Sequence, residues 1–365
     1  MRVALLTSAN GWRGSGASYA KLARGLRDRG HSVHLVTAGG SLTGRLRDDG
    51  LDVTEISRTS RVRAVWGLRR VLRSIRAQAI VADTAHDVRL AACATVLRRT
   101  RILYRYNVHY RRPRRPLVDR MCLSRVTACV YQSRYIHDDT VKHMPRMASI
   151  PSFEVPNGYD TRRYAPHDDA AAAFREQFRI SPSVRVVLTA ARLTKNKGHE
   201  IALAALNRLH REGLDLVWVV CGDGNREGEL VSLAGAYNLP TRFTGLLDSR
   251  SMVGAYSAAN LVVHPSLQEI FPNAVGEAMA CARPVIAADA GGTGELIGRD
   301  GTAGVLIPPA DPDALADAVR TLWADPCRLR SLGEAARRRI QDVFPVDLMI
   351  DRYERLLEEV IDDGA

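Results

Sequence analysis

No apolar run in the chain approaches the roughly 20 residues that a membrane-spanning helix requires. The opening MRVALLTS is too short for a signal-peptide core and reads as a first buried strand, so a cytoplasmic protein is expected. Six cysteines (Cys93, Cys122, Cys129, Cys221, Cys281 and Cys327) are scattered without a CxxC pair or a Cys/His cluster, and are expected to be reduced, partly buried thiols. The Asp-Asp pairs that begin at Asp48, Asp138, Asp168 and Asp362 fall in helical or terminal contexts and read as solvated acids, not metal ligands. Lysine is nearly missing: all but Lys21, Lys142, Lys195 and Lys197 of the 52 cationic side chains are Arg.

At 365 residues the chain exceeds the size at which one core usually stops growing, and its 46% apolar content is ample for two. Short strand-like runs alternate with longer helical patterns. VALLT, SVHLVTA, AIVADT, RILYRY and ACVYQS punctuate residues 1–135, and RVVLTA, DLVWVV, RFTG, LVVHPS and PVIAAD punctuate residues 185–290. This alternation predicts an α/β protein with two doubly wound parallel sheets. Between the halves, SIPSFEVPNGYDTRRYAP (149–166), with its prolines and the turn pair Asn157-Gly158, reads as an interdomain linker.

The net charge of +12 is unevenly spread. Ten Arg face one acid, Asp119, between Arg98 and Arg125, and seven Arg with no acid lie between Arg58 and Arg76. Such stripes can hold a protein on anionic lipid or nucleic acid, although a GC-rich coding bias or a solvated basic face would give a similar count. Tyr104, Tyr106 and Tyr110 accompany the arginines but fall on a strand and its following loop, where packing suffices, so nucleic acid is not the expected partner.

Ligands of doubly wound sheets bind beyond the carboxyl ends of the strands, so the loops there carry the chemistry. After the first strand, Gly11, Gly14 and Gly16 let backbone approach a ligand, but the spacing is not G-x-G-x-x-G and no acid closes the second strand. The second half is richer. ARLTKNKGHE offers Arg192 and Lys197 at a strand-to-helix loop, a pair suited to a diphosphate. VVCGDGN ends a strand in Gly222-Asp223-Gly224, a turn that would let a base or phosphate lie against backbone, and ADAGGTGELI brings Gly291, Gly292 and Glu295 to another strand end. In HPSLQEIFPNAVGEAMA, Glu269 and Glu277 bracket a helix start at which Pro272 fits the first turn. Acid, helix N-terminus and second acid are thus set in line for a sugar nucleotide.

These segments in this order resemble the retaining glycosyltransferases of GT-B fold, specifically family GT4, the glycosyl transferases group 1, nearly from end to end. The likeness includes Gly30-His31-Ser32-Val33, VPNGYDTRRY, ARLTKNKG, CGDG, FTG, the E-x7-E segment, RPVIAAD, GGTGELI and the closing FPVDLMIDRYERLLEEVI. It implies an acceptor-side Rossmann-like domain (1–158) and a donor-binding one (159–345) facing across a cleft. It also implies a final helix (346–365) that crosses back to the first domain.

The resemblance implies roles as well. Glu277 matches the acid that holds the ribose hydroxyls, Glu269 the one that contacts the donor sugar, and Arg192 with Lys197 the pair that neutralises the leaving diphosphate. The backbone at Ile270 and Phe271, with Pro272 and Asn273 at the helix start and the Gly222 turn, would face sugar and phosphate. Gly14 falls where the family has the second glycine of an N-terminal pair, with Arg13 replacing the first, and His109 resembles a first-domain histidine that reaches the reacting sugar. Ile270 replaces the usual glycine of E-G-F, and Ala282 replaces the glycine usual before Arg-Pro. No obligatory cofactor or metal is implied. The expected activity is transfer of a glycosyl group from a nucleotide-diphosphate sugar to a hydroxyl of a glycan, a lipid-linked glycan or a small molecule, with peripheral contact to anionic membrane through the Arg-rich half. An epimerase, a phosphorylase or a non-catalytic sugar-nucleotide-binding subunit could use the same two-domain plan, since fold alone does not fix function.

Overall fold

Two parallel sheets organise the computed structural model, which describes residues 1–8, 14–108 and 116–362. The chain divides into one unit of Met1–Gly158 with Val346–Ala365 and a second of Tyr159–Pro345. In the first unit the strands are β1 (Arg2–Thr7), β2 (Ser32–Thr37), β3 (Val53–Glu55), β4 (Ala79–Ala82), β5 (Arg101–Tyr106), β6 (Val126–Tyr131) and β7 (Ser152–Glu154). Their order is β3-β2-β1-β4-β5-β6-β7, all parallel. The central strands are buried almost throughout, because helices on both faces of a parallel sheet leave no side for water.

Alternate side chains choose alternate faces. Val3, Leu5, Val81, Leu103 and Val130 pack under the Gly14–Asp28 helix and the last helix, Val346–Asp362, whose Ile350, Tyr353 and Leu357 join the same core. The intervening Ala4, Leu6, Ile80 and Ile102 are buried on the opposite face. There the Arg61–Ser74, Ala85–Ala94 and Pro116–Leu123 helices lie side by side. Ser60 and Thr84 start the first two of these helices by accepting backbone N–H bonds from Arg63 and Asp87.

The second unit holds β8 (Arg185–Ala190), β9 (Leu216–Cys221), β10 (Thr241–Gly245), β11 (Leu261–His264), β12 (Val285–Ala288) and β13 (Val305–Ile307), in the order β10-β9-β8-β11-β12-β13. The chain runs outward from β8 through β9 to β10, then returns to pair β11 on the other side of β8. Order reverses between β8 and β11, and the loops that follow these two strands border a crevice of the kind where doubly wound sheets bind ligands.

The structure revises the expected linker. Ser152–Glu154 within it forms edge strand β7 beside β6, and Asn157 is buried, not exposed in a turn. Its side-chain carbonyl accepts from Ser18 Oγ at 3.1 Å and from Arg105 Nη2 at 3.3 Å. Arg105, one of the arginines of the basic stripe, is itself buried and paired with Asp83 at 2.9 Å. The six cysteines are free, with Cys93 and Cys327 exposed and the other four buried.

Ala282 follows the Asn273–Ala280 helix with φ +56°, a left-handed conformation that clashes with a Cβ. This is the physical reason for a glycine at that position. Ala282→Gly is therefore expected to stabilise the second unit by about 1 kcal/mol, read as a rise in thermal midpoint of a few degrees. An unchanged or lower midpoint would show that the Ala282 methyl group offsets its strain.

Candidate functional site

The crevice at the strand-order reversal is built from the loops after β8 and β11. The β8 loop carries Arg192 and ends in a short turn, Lys195–Lys197, before the His199–Arg211 helix. The β11 loop runs from Pro265 to Pro272 and opens the Asn273–Ala280 helix. Backbone ties join the two. Leu267 N donates to the Asn196 carbonyl at 2.8 Å, and Ser266 Oγ donates to the same oxygen at 3.1 Å.

Glu269 sits between these loops at 8% exposure. Lys197 Nζ donates to its Oε1 at 2.6 Å, and His264 Nε2 lies 2.7 Å from the same oxygen. An ionised carboxylate only accepts, so this geometry requires the proton on His264 Nε2. Burial alone would raise the Glu269 carboxyl. The hydrogen bond and charge of His264, joined by Lys197, outweigh it and hold the carboxyl at about 2. Glu269 is consequently a permanent anion at neutral pH.

The neighbouring strand ends press on this pair of loops. Gly291, after β12, has φ +61°, and a Cβ there would lie 1.7 Å from the Glu269 carbonyl oxygen. Only glycine allows that approach. Gly222, after β9, has φ +140°, and its Cβ would lie 2.1 Å from the Ala191 carbonyl oxygen. The close neighbour at Gly222 is thus backbone of the β8 loop, to which Asp223 also contributes by accepting from Leu193 N at 2.7 Å.

Pro272, expected in the first helical turn, stands one residue earlier, with φ −75° and ψ 105°, as the cap before Asn273. Phe271 turns its ring into the core against Phe344, with centroids 5.4 Å apart, and so anchors the loop while Ile270 stays half-buried. Glu277 is the fifth residue of the helix, half-buried, and accepts from Tyr256 Oη at 3.2 Å. Burial, then the Glu277 carboxylate, push the Tyr256 phenol well up, so it stays a donor at any physiological pH.

Of the residues singled out from the sequence, the structure joins Lys197 to Glu269 and sets Glu277 on the helix that follows. Arg192 is exposed on the β8 loop and makes no ion pair among the described residues. Gly14 begins the Gly14–Asp28 helix of the first unit. His109 lies outside the described residues. No group of three or more His, Cys, Asp or Glu side chains among the described residues could hold a metal ion. Sequence reasoning passes over His264 and Tyr256. The available signal for His264 is its position as the final residue of a strand, five before Glu269.

Two family models match the chain. Residues 171–339 match "Glycosyl transferases group 1", and residues 13–150 match "Glycosyl transferase 4-like domain". The chain belongs to the group 1 glycosyltransferases of family GT4, and its fold is GT-B. It is 33% identical to an alpha-D-kanosaminyltransferase of Streptomyces kanamyceticus over a segment covering 50% of this chain and 48% of that protein. Against a GDP-mannose-dependent monoacylated alpha-(1-6)-phosphatidylinositol monomannoside mannosyltransferase of Corynebacterium glutamicum it is 26% identical, covering 61% of each. The chain therefore spans about half to three-fifths of the length of these curated relatives. Anabaena HepE in complex with UDP-glucose superposes with a TM-score of 0.88 over 98% of this chain and 100% of that one, at 20% identity. A Rickettsia africae glycosyltransferase gives the same TM-score over 99% of both chains at 18% identity. At such identities the likeness is one of fold.

Replacing Lys197 by Met leaves a buried carboxylate with one partner, and is expected to cost about 1–3 kcal/mol of unfolding free energy at pH 7. The sign of its pH dependence follows from the depressed Glu269 carboxyl. Its contribution is fully present above the unfolded value of 4.5 and is lost as pH falls through about 2. Denaturant unfolding at several pH values should show a constant gap between parent and variant from about pH 8 to about 5, narrowing below that. A gap that widens on acidification would contradict the assigned pairing.

Proposed function

We propose that the protein transfers a glycosyl group from a nucleotide-diphosphate sugar to an acceptor hydroxyl, with retention at the anomeric carbon. The observation that carries this reading is the Lys197–Glu269–His264 cluster at the head of the Asn273–Ala280 helix. Family membership and relatives named for GDP-mannose or solved with UDP-glucose support a sugar nucleotide as donor. Glu277 binds the ribose hydroxyls. Glu269 accepts from hydroxyls of the donor sugar, and the Asn273 end of the helix, with the adjoining Ile270–Phe271 backbone, lies against the diphosphate.

Lys197 and Arg192 stabilise the charge that grows on the leaving diphosphate. No metal or other cofactor takes part. Glu269, held at about 2 by two partners, is a poor base and a poorly available nucleophile. That favours a front-face route in which the bond from the anomeric carbon to the diphosphate oxygen breaks as the acceptor oxygen attacks from the same side. The leaving phosphate oxygen then takes the acceptor proton, so no enzyme base is needed.

Thermal-shift screening with UDP-, GDP-, ADP- and TDP-sugars identifies the donor, because a ligand of the folded state alone stabilises it by mass action. Absence of any shift by all four would count against the reading. With the donor in hand, Glu277→Ala should weaken its binding by about 1.5–3 kcal/mol in calorimetry, the cost of losing a charged hydrogen bond. Undiminished affinity would remove the ribose assignment.

Arg192→Ala should lower kcat at saturating acceptor more than it weakens donor binding, since it acts on charge that develops toward the transition state. A change confined to KM would assign Arg192 to the ground state only.

A further inference from the structure

We propose that the face of the first unit formed by its three side-by-side helices is a docking surface for an anionic lipid bilayer. On the Arg61–Ser74 helix, Ala64, Leu68, Val71 and Leu72 face the core. The outer stripe follows helical spacing through Val62, Trp66, Arg70 and Arg73, where Val62 is 80% and Trp66 69% exposed. The Pro116–Leu123 helix repeats the pattern, with Leu117 74% and Met121 73% exposed on either side of Arg120. Leu97, at 92%, is exposed in the loop between the Ala85–Ala94 helix and β5, next to Arg98 and Arg99.

These three segments form one face. Arg69 Nη1 donates to the Val96 carbonyl at 3.2 Å, tying the first helix to the loop. Arg125 Nη2 donates to the Thr95 carbonyl at 3.1 Å, and Arg89 pairs with Asp119 at 2.6 Å, tying the loop and the middle helix to the third. Large exposed apolar side chains gathered on one face mark an interaction site.

Charge selects the occupant. Arg61, Arg63, Arg70 and Arg73 make no ion pair among the described residues, and the one acid of the 98–125 segment, Asp119, is already taken by Arg89. Some arginines elsewhere are paired, as with Arg320 on Glu212 and Asp317, or Arg29 on Asp351 and Glu354, and others, Arg192 among them, are not; what sets this face apart is that its unpaired cations lie beside exposed Val62, Trp66, Leu117 and Met121. Unpaired cations around a Trp and aliphatic side chains are what an interfacial segment offers, the apolar tips entering the headgroup boundary and the guanidinium groups meeting lipid phosphates. Among the described residues no helix is long and apolar enough to cross a membrane, so the contact is peripheral.

The test uses the full chain with vesicles of phosphatidylcholine, pure or containing about 30% phosphatidylglycerol, at low and high salt. Co-sedimentation is expected with the anionic vesicles only, lost at about 0.5 M salt, where screening acts within a few ångströms. Arg70→Glu with Arg73→Glu should lower the partition coefficient at least about tenfold. Trp66→Ser should lower it severalfold, while Arg211→Glu, on an exposed site of the second unit, should leave it unchanged. Quenching of Trp emission by brominated lipid should disappear in Trp66→Phe.

Donor-induced thermal shifts measured on each variant separate this idea from the transferase reading, since intact shifts with lost vesicle binding support the docking surface alone. Negligible or equal binding to both vesicle types would overturn the proposal. So would a dimer abolished by Trp66→Ser without vesicle binding, which would make the occupant a second copy, or duplex RNA displacing the protein from vesicles at equimolar phosphate.

Discussion

A buried carboxylate has to be paired, and the second unit's crevice is arranged around meeting that demand at Glu269. Removing such a group from water costs several kcal/mol unless its lone pairs are occupied by donors of opposite charge. Here two partners converge on one oxygen, from opposite sides of the strand-order reversal: Lys197 from the loop after β8 and His264 from the end of β11. Neither loop could carry the pair alone. The bonds from Leu267 and Ser266 to Asn196 hold the loops in the register that the ion pair needs. Gly291 lets the third loop close on Glu269 from behind.

Pairing also restricts what the site can do. A carboxyl held at about 2 cannot donate a proton and is weakened as a nucleophile, so it serves as a fixed hydrogen-bond acceptor. Glu277 lies four positions beyond Asn273, a rise of about 6 Å, which keeps the second acid one helical turn from the dipole's positive end. Tyr256 orients its carboxylate without cancelling its charge, because a phenol whose pKa lies far above neutrality remains a neutral donor. The two acids therefore differ in kind. Glu269 answers to an ammonium and an imidazole, whereas Glu277 faces the phenols of Tyr256 and Tyr164.

Much of this is legible in the chain. Several of the longer strands announce themselves by apolar runs, as VALL in β1 and LVWVVC in β9, and the reversal between β8 and β11 places the loops that carry R-x4-K and E-x7-E side by side. Strands β3, β7 and β13, of three residues each, hold too few side chains to show a period, and β7 lies hidden in a Pro-containing segment that reads as linker. Asn157 reads as a turn residue because Asn-Gly usually is one. Its burial depends on Ser18 and Arg105, which approach only in the folded state. Gly222 reads as room for a ligand, whereas its missing Cβ is needed by the Ala191 carbonyl. The glycine replaced at Ala282 is readable as a departure, and the structure supplies the left-handed φ that explains it.

The basic residues divide by geometry rather than by count. Arg105 spans Asp83 and Asn157 with separate arms of its planar fork, a task that a single ammonium cannot perform. The outward arginines Arg61, Arg63, Arg70 and Arg73 of the Arg61–Ser74 helix are instead exposed. Lys197 is different again. Its ammonium is a compact charge with three donors, of which the bond to Glu269 occupies one. A guanidinium at that position would spread the same charge over a plane and favour a two-pronged grip on Glu269. In a chain that otherwise selects Arg almost everywhere, lysine at 197 neutralises the buried carboxylate with one compact charge.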